Sequence, residues 1–398
     1  MTTTRRRTAV LSLAILLPVA ACGSDDEAST ATTVPDATAP ADTTAAPAVT
    51  TAAPAGGALQ GVCPDKIVIQ TDWFPEAEHG ALYELVGDDY KIDLEKKTVS
   101  GTLIGTGGVD SGIDIEVRTG GPATGFQGPS ATMATDPSIT MGYAYTGSAN
   151  EFDTLPLIQV VAPLEKNPQM VMWDPATYPE VKTIDDLGKA GVTVNVFAKD
   201  VMGFFIADGR YPDELVDPSY DGGPSRFIAA NGEIAQQGFA SAEPYSYENE
   251  FPEWGKPIAF QLFFDAGYQD YSQTLGVRPD ELDELRPCLK LFVPMVQQAA
   301  VDFINAPDRA NAIIVDAVAQ YKDFWVYTDG LADFSVQAQK DLGLVSNGPD
   351  ATIGNFDLER VQTFIDQMIA TGNFPNVPAD FKAETMVTNE FIDPSIGL

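Results

Sequence analysis

One histidine and three cysteines in 398 residues leave this chain little reactive side-chain chemistry. A two-histidine metal site is excluded, no Ser-His-Asp or Cys-His constellation is legible, and the widely separated cysteines make no metal-ligand cluster. Positive charge is also scarce: 23 Lys and Arg stand against 57 Asp and Glu, a net charge of −34. Nucleic acid is a poor partner for such a chain, because phosphate binding needs a basic footprint. Anionic lipid surfaces are disfavoured for the same reason. A small anion would approach through a repulsive field, which tilts the ligand toward neutral or cationic species. No apolar run reaches the roughly 20 residues that a stable membrane span needs, and no repeat of solenoid period is present.

What is present begins with an export signature. Arg5, Arg6 and Arg7 precede an apolar run from Ala9 to Ala21 that ends at Cys22. Val19-Ala20-Ala21-Cys22 is similar to the lipobox of bacterial lipoproteins. That similarity implies a signal peptide over 1–21, acylation of Cys22, and an extracytoplasmic protein attached to the bacterial cell membrane through its lipid alone. Residues 22–61 are mostly Ala, Thr, Pro and Asp. They cannot bury enough apolar surface to offset their ordering entropy and read as a disordered tether. In an oxidising compartment the remaining pair, Cys63 and Cys288, invites a disulfide, with two buried free thiols as the alternative.

From Val62 onward short apolar strands alternate with helical patterns, which predicts an α/β protein with parallel strands. Strands are expected at 66–70, 113–118, 139–143, 157–162, 171–173, 192–197, 237–241 and 257–264. Helices are expected at 183–190, with Thr183 as cap, and then almost continuously at 282–304, 309–324, 336–342 and 358–370. The implied architecture is two lobes, 62–166 and 167–265, with a helical C-terminal part over 266–398 returning to the first lobe. Crossings near 167–174 and 256–265 make a hinge that lets the lobes close on a ligand.

The densest chemistry lies where the first strand ends. Asp72, Trp73, Phe74 and His79 follow Lys66–Gln70 and precede a helical pattern, placing them at the carboxyl edge of a strand, where open α/β sheets bind ligands. A flat ring would stack on Trp73 or Phe74 while Asp72 accepts from its N–H groups; core packing of one aromatic and capping by Asp72 are the alternatives. Gly120 and Gly121 follow the second strand and admit close backbone approach. Gly147 and Ser148 follow the third and either present N–H groups or cap a helix. In the second lobe Glu243 and Tyr245 pair an acid with an aromatic, and Met202, with Val201 and Phe204, opens a helix that either walls the site or packs in the core. Phe263, Phe264 and Tyr268 are further aromatic candidates near the return crossing.

These residues carry a resemblance. VIQTDWFPEAEHGALYELVG (68–87), VVAPLEKNPQMVM (160–172), KTIDDLGKAGVTV (182–194), GFASAEPYSYENE (238–250) and TNEFID (388–393) occur in that order. The ordered set resembles the thiamine-pyrimidine-precursor and riboflavin binding proteins of ABC importers, which have the type II periplasmic binding fold. The resemblance implies a monomeric receptor that closes on a pyrimidine, flavin or similar heterocycle and delivers it to permease and ATPase subunits, with no cofactor, no metal and no catalytic residue. More distant relatives of that group take taurine, sulfonates or nitrate. The fungal pyrimidine synthases share the Asp-Trp and His positions, but their cysteine-rich metal motif is missing here. The chain departs from the pattern at Phe74, where Thr is frequent, in an apparent insertion over 88–112, and in RTGGPATGFQGPS (118–130). All three fall near the expected cleft, so they bear on the ligand more than on the fold.

Overall fold

A computed structural model describes residues 57–398. The expected leader, Cys22 and the tether as far as 56 lie outside the described residues. The tether's expected end at 61 is corrected. Gly57 and Leu59 donate backbone hydrogen bonds to Asp110 and Ser111, and Leu59 is fully buried because it covers the end of the sheet. No helix among the described residues is long and apolar enough to cross a membrane.

The strands are β1 (Lys66–Gln70), β2 (Lys91–Asp93), β3 (Thr98–Gly105), β4 (Val109–Arg118), β5 (Met141–Ala144), β6 (Ile158–Val161), β7 (Gln169–Trp173), β8 (Val194–Asn195), β9 (Val216–Asp217), β10 (Ala235–Phe239), β11 (Ala259–Leu262) and β12 (Thr274–Val277). They form a seven-stranded sheet in the order β2-β3-β4-β1-β5-β12-β6 and a five-stranded sheet in the order β11-β7-β10-β8-β9. The sheets are mixed rather than parallel. β1 runs parallel to β4 and β5, whereas β12 is antiparallel to β5 and β6, and β7 is antiparallel to β10 and β11. The expected insertion is an antiparallel extension of the first sheet, β2 and β3 pairing outward from β4.

The helices are α1 (Gly80–Glu84), α2 (Pro129–Thr135), α3 (Ile184–Ala190), α4 (Asp200–Ala207), α5 (Ser225–Ala229), α6 (Glu243–Asn249), α7 (Leu282–Asn305), α8 (Asp308–Tyr321), α9 (Asp329–Asp341) and α10 (Leu358–Ala370). Their ends follow capping chemistry. Thr183 accepts from Asp186 N, Thr328 from Leu331 N, and Asp357 from the N–H groups of Glu359 and Arg360. Helices α7, α8 and α9 pack with the first sheet around Phe292, Val296 and Ile314. Cys63 and Cys288 are bonded, tying the start of the ordered chain to α7 across 225 residues of sequence.

The chain passes from first to second sheet within 162–168 and returns within 263–273, somewhat later than expected on the return. Assigning everything after 266 to the first lobe does not match the packing. Helix α10 places Val361, Phe364, Ile365 and Met368 in a core shared with Trp173, Ile184 and Phe205 of the second. From α10, the Arg360 guanidinium donates to the carbonyls of Glu165, Gln269 and Asp270, so it clamps both crossing segments.

Candidate functional site

Between the sheets lies a cavity of about 310 Å³, at the carboxyl ends of β1, β4, β5 and β10. Its geometry starts with Gln70, buried at the end of β1, whose amide donates to the carbonyls of Thr71 and Thr119. That bond locks the loop after β1 against the loop after β4. The Gly120 N–H then donates to the Trp73 carbonyl. A Cβ on Gly120 would stand 2.2 Å from the Thr71 carbonyl oxygen, and one on Gly121 (φ +57) would stand 2.5 Å from the Trp73 ring. The two glycines therefore seat Trp73; Gly121 also lines the cavity, and Gly120 does not.

Trp73 is the aromatic hub. Its ring meets Phe126 at 6.3 Å, Trp325 at 6.2 Å and, from the second lobe, Phe197 at 5.8 Å. Gly222, also in the second lobe, comes so close that a Cβ there would stand 2.8 Å from the Trp73 ring. Asp72 lines the cavity beside it. Phe74, expected in the site, is fully buried behind Trp73 as an edge-on support, because the turn after β1 directs it inward. His79 is likewise fully buried. The turn at Ala77–His79 folds it beneath Asp72, where Nε2 lies 3.0 Å from Asp72 Oδ1, so its Nε2–H form holds that carboxylate in place without reaching the cavity.

Across the cleft Glu243 opens α6 and lines the cavity. Its carboxylate accepts from Phe239 N at 2.7 Å and from the Tyr220 hydroxyl at 3.3 Å. Burial raises its pKa to about 7 against these bonds, which favour the charged form. Glu76 is raised well above the usual carboxyl range by burial and by Glu78, Asp72 and Glu243. Glu78, raised by burial, accepts from Ser241 Oγ of the opposite lobe. Asp270, which accepts from Asn167 Nδ2 at 2.9 Å, is held at about 6, again mainly by burial.

Four other expected residues sit outside the lining. Tyr245 faces the opposite way along α6 and packs on Phe334 of α9 at 5.6 Å between ring centres. Met202 is fully buried in the second core, while its neighbour Val201 lines the cavity. Gly147 packs against the Tyr145 ring, and Ser148 Oγ donates to the Tyr145 carbonyl, so this pair shapes a turn that holds Tyr145 at the site. Of the weaker aromatic candidates, Tyr268 lines the cavity. Sequence reasoning missed Phe126, Tyr145, Phe197, Asp200, Tyr220, Asp270, Gln273 and Trp325. Only two were signalled: Phe126 lies in the atypical segment 118–130, and Phe197 ends an expected strand. No cluster of metal-ligating side chains occurs among the described residues.

No protein-family model matches the chain, and no curated protein matches it. Solved structures do. A protein from Bordetella bronchiseptica RB50 is 14% identical with a TM-score of 0.52, covering 82% of this chain and 96% of that one. The periplasmic aliphatic sulphonate binding protein SsuA from Escherichia coli is 12% identical with a TM-score of 0.52, covering 82% and 92%. The ligand binding component of an ABC-type import system from Staphylococcus aureus, solved with zinc bound, is 13% identical with a TM-score of 0.50, covering 83% and 97%. At such identities the likeness establishes the fold, which is that of the periplasmic binding proteins. It is the α/β class that the sequence led us to expect.

Proposed function

We propose that this protein is the extracytoplasmic solute receptor of an ABC importer, anchored to the bacterial cell membrane through a lipid on Cys22. Its two lobes close around a small nitrogen heterocycle and present it to the permease. The observation that carries this reading is the cavity itself, shared by both sheets and both crossings, with Trp73 at its centre and Glu243 opposite. A cavity of about 310 Å³ lies at the small end of ligand sites, which favours a pyrimidine-sized ligand over a three-ring flavin. Sulfonate, the ligand class named for the Escherichia coli structure, and nitrate are disfavoured because no lysine or arginine lines the cavity among the described residues. The pyrimidine-synthase alternative needs His79 as a reagent, and its complete burial beneath Asp72 weighs against that.

The test is a thermal-shift panel on residues 57–398 with hydroxymethylpyrimidine, formylaminopyrimidine, thiamine, riboflavin, taurine and nitrate. A ligand at 100 Kd adds about 2.7 kcal/mol to stability. Stabilisation by a pyrimidine, abolished in a folded Trp73→Ala variant, supports the reading. Response to taurine or nitrate alone would sink the ligand class, and consumption of a ligand with chemical loss of His79 would make the protein an enzyme.

A further inference from the structure

Five carboxylates reach the cavity from four segments: Asp72 and Glu76 in the turn after β1, Asp200 on α4, Glu243 on α6 and Asp270 in the return crossing. Away from the cavity the buried Asp174 and the half-buried Glu165 each have a cationic partner, whereas the buried Glu78 accepts from Ser241 Oγ. Asp174 pairs with Lys256 at 2.8 Å, and Glu165 with Arg360 at 2.9 Å. At the cavity the basic contact is His79 alone, 3.0 Å from Asp72 and 3.7 Å from Glu76. Arg360 approaches Asp270 through its backbone carbonyl and gives its side-chain ion pair to Glu165. Asp200 is exposed and the Asp72 side chain is 37% exposed, so the cost of burying an uncompensated carboxylate falls on Glu76, Glu243 and Asp270, and a ligand that brings positive charge removes that cost.

A second, independent observation points to a ligand. Gln273 is 3% exposed, lines the cavity, and leaves both its amide oxygen and its amide nitrogen without a partner. It does so from a left-handed backbone (φ +50), a conformation that a glutamine rarely adopts without cause. The hydroxyls of Tyr143 and Ser272, also buried and lining, are unpartnered too. An amide with both ends free is complementary to an amide-like edge, one donor beside one acceptor. The rings of Trp73, Phe197 and Tyr220 line the cavity, and aromatic rings attract a cation through their electron-rich faces.

We infer that the cavity selects an organic cation: a flat heterocycle bearing a positive charge and an amide-like hydrogen-bonding edge. The inference rests on the receptor reading and narrows its ligand class. Glu243, Glu76 and Asp270 hold protons more tightly than ordinary carboxyls in the empty protein, chiefly through burial. A bound cation expels those protons.

Three probes of one ring size separate the possibilities: 1-methylnicotinamide (cation), its neutral C-methyl analogue 6-methylnicotinamide, and nicotinate (anion), titrated calorimetrically into the protein. The cation is expected to bind at least about tenfold more tightly than the neutral analogue, with no binding of nicotinate. Its affinity is expected to rise about tenfold from pH 6 to pH 8 as Glu243 ionises, whereas that of 6-methylnicotinamide stays flat. The titratable groups beside Glu243 are Glu76 and Glu78 of the first lobe and Tyr220 and Tyr247 of the second, so no neighbouring base reverses this sign. Glu243→Gln and Asp270→Asn should each shrink the cation's advantage; if either fails to fold, the wild-type charge series and pH profile still decide. Equal or tighter binding of the neutral analogue or of nicotinate overturns the inference. Binding of neutral pyrimidines with no response to 1-methylnicotinamide overturns it while leaving the receptor standing. Silence toward all three probes and the pyrimidine panel overturns both.

Discussion

The carboxyl cluster makes the empty protein less stable as pH rises through neutrality, opposite to the usual trend for carboxylates paired in the native state. Glu243 gives the magnitude. Its carboxyl sits at about 7 when folded against an ordinary 4.5, so between those values the folded state binds more protons than the unfolded one. Stability then falls with pH. Across about pH 5 to pH 8 this one group costs roughly 2–3 kcal/mol. Glu76, Glu78 and Asp270 are raised by burial as well and push the same way. Carboxyls with lowered values, such as Asp136 and Asp174, lose their contribution only as pH falls below the ordinary carboxyl range, outside this window. The measurement is urea unfolding of ligand-free wild type and Glu243→Gln across that range. Wild type should weaken toward pH 8, and the variant should lose roughly 2–3 kcal/mol of that slope. Gln retains the acceptor for Phe239 N, so the fold survives. A wild-type stability that climbs toward pH 8, or an identical slope in both proteins, would refute the burial argument.

Gly222→Ala places a Cβ 2.8 Å from the Trp73 ring at φ +88. It should cost about 1–2 kcal/mol in backbone strain and weaken ligand binding by holding the lobes apart, and unchanged affinity by calorimetry would show that Gly222 can yield. Arg360→Ala leaves the carbonyls of both crossings without their donor and removes a guanidinium stacked 3.7 Å from the Tyr271 ring. A loss of about 3–5 kcal/mol in urea unfolding is expected, not rescued by Lys, which lacks the planar fork; full rescue by Lys would argue for charge alone. Replacing Cys63 and Cys288 together by Ser opens a loop 225 residues long. It should lower stability by up to about 5 kcal/mol with ligand affinity intact, since neither residue lines the cavity; a matching loss of affinity would place the bond in the mechanism.

Local signals wrote some elements into the sequence to the residue. Lys66–Gln70 alternates β-branched side chains and is β1, Thr183 caps α3 as expected, and Leu358–Ala370 is α10. Strands β2 and β3 went unread because Thr and Gly in TVSGTLIG blur the alternation, and because pairing at a sheet edge demands only one buried face. The return of α10 to the second core was equally hidden, since an amphipathic helix declares which face is buried and not against what.

The site divides along the same line. Residues that closely follow strand ends, Asp72, Trp73, Gly121 and Glu243, were legible because strand ends are where sheets expose backbone to a cleft. Those that needed a rotation or a long-range approach were not. On α4, successive side chains diverge by about 100°, so Val201 reaches the cavity and Met202 the core. His79 lies seven positions from Asp72 yet directly beneath it, a consequence of one tight turn. Asp270 and Gln273 come from the return crossing, where no periodic pattern exists to read. The cavity's charge therefore could not be read from the motif after β1, which offers three acids, two of them lining, and a histidine; it becomes visible only when α4, α6 and the crossing add three more carboxylates and no cation. Ligand selectivity in this fold is set by the segments that the lobes bring together, so a likeness in the first strand and turn constrains where a ligand sits more tightly than what it is.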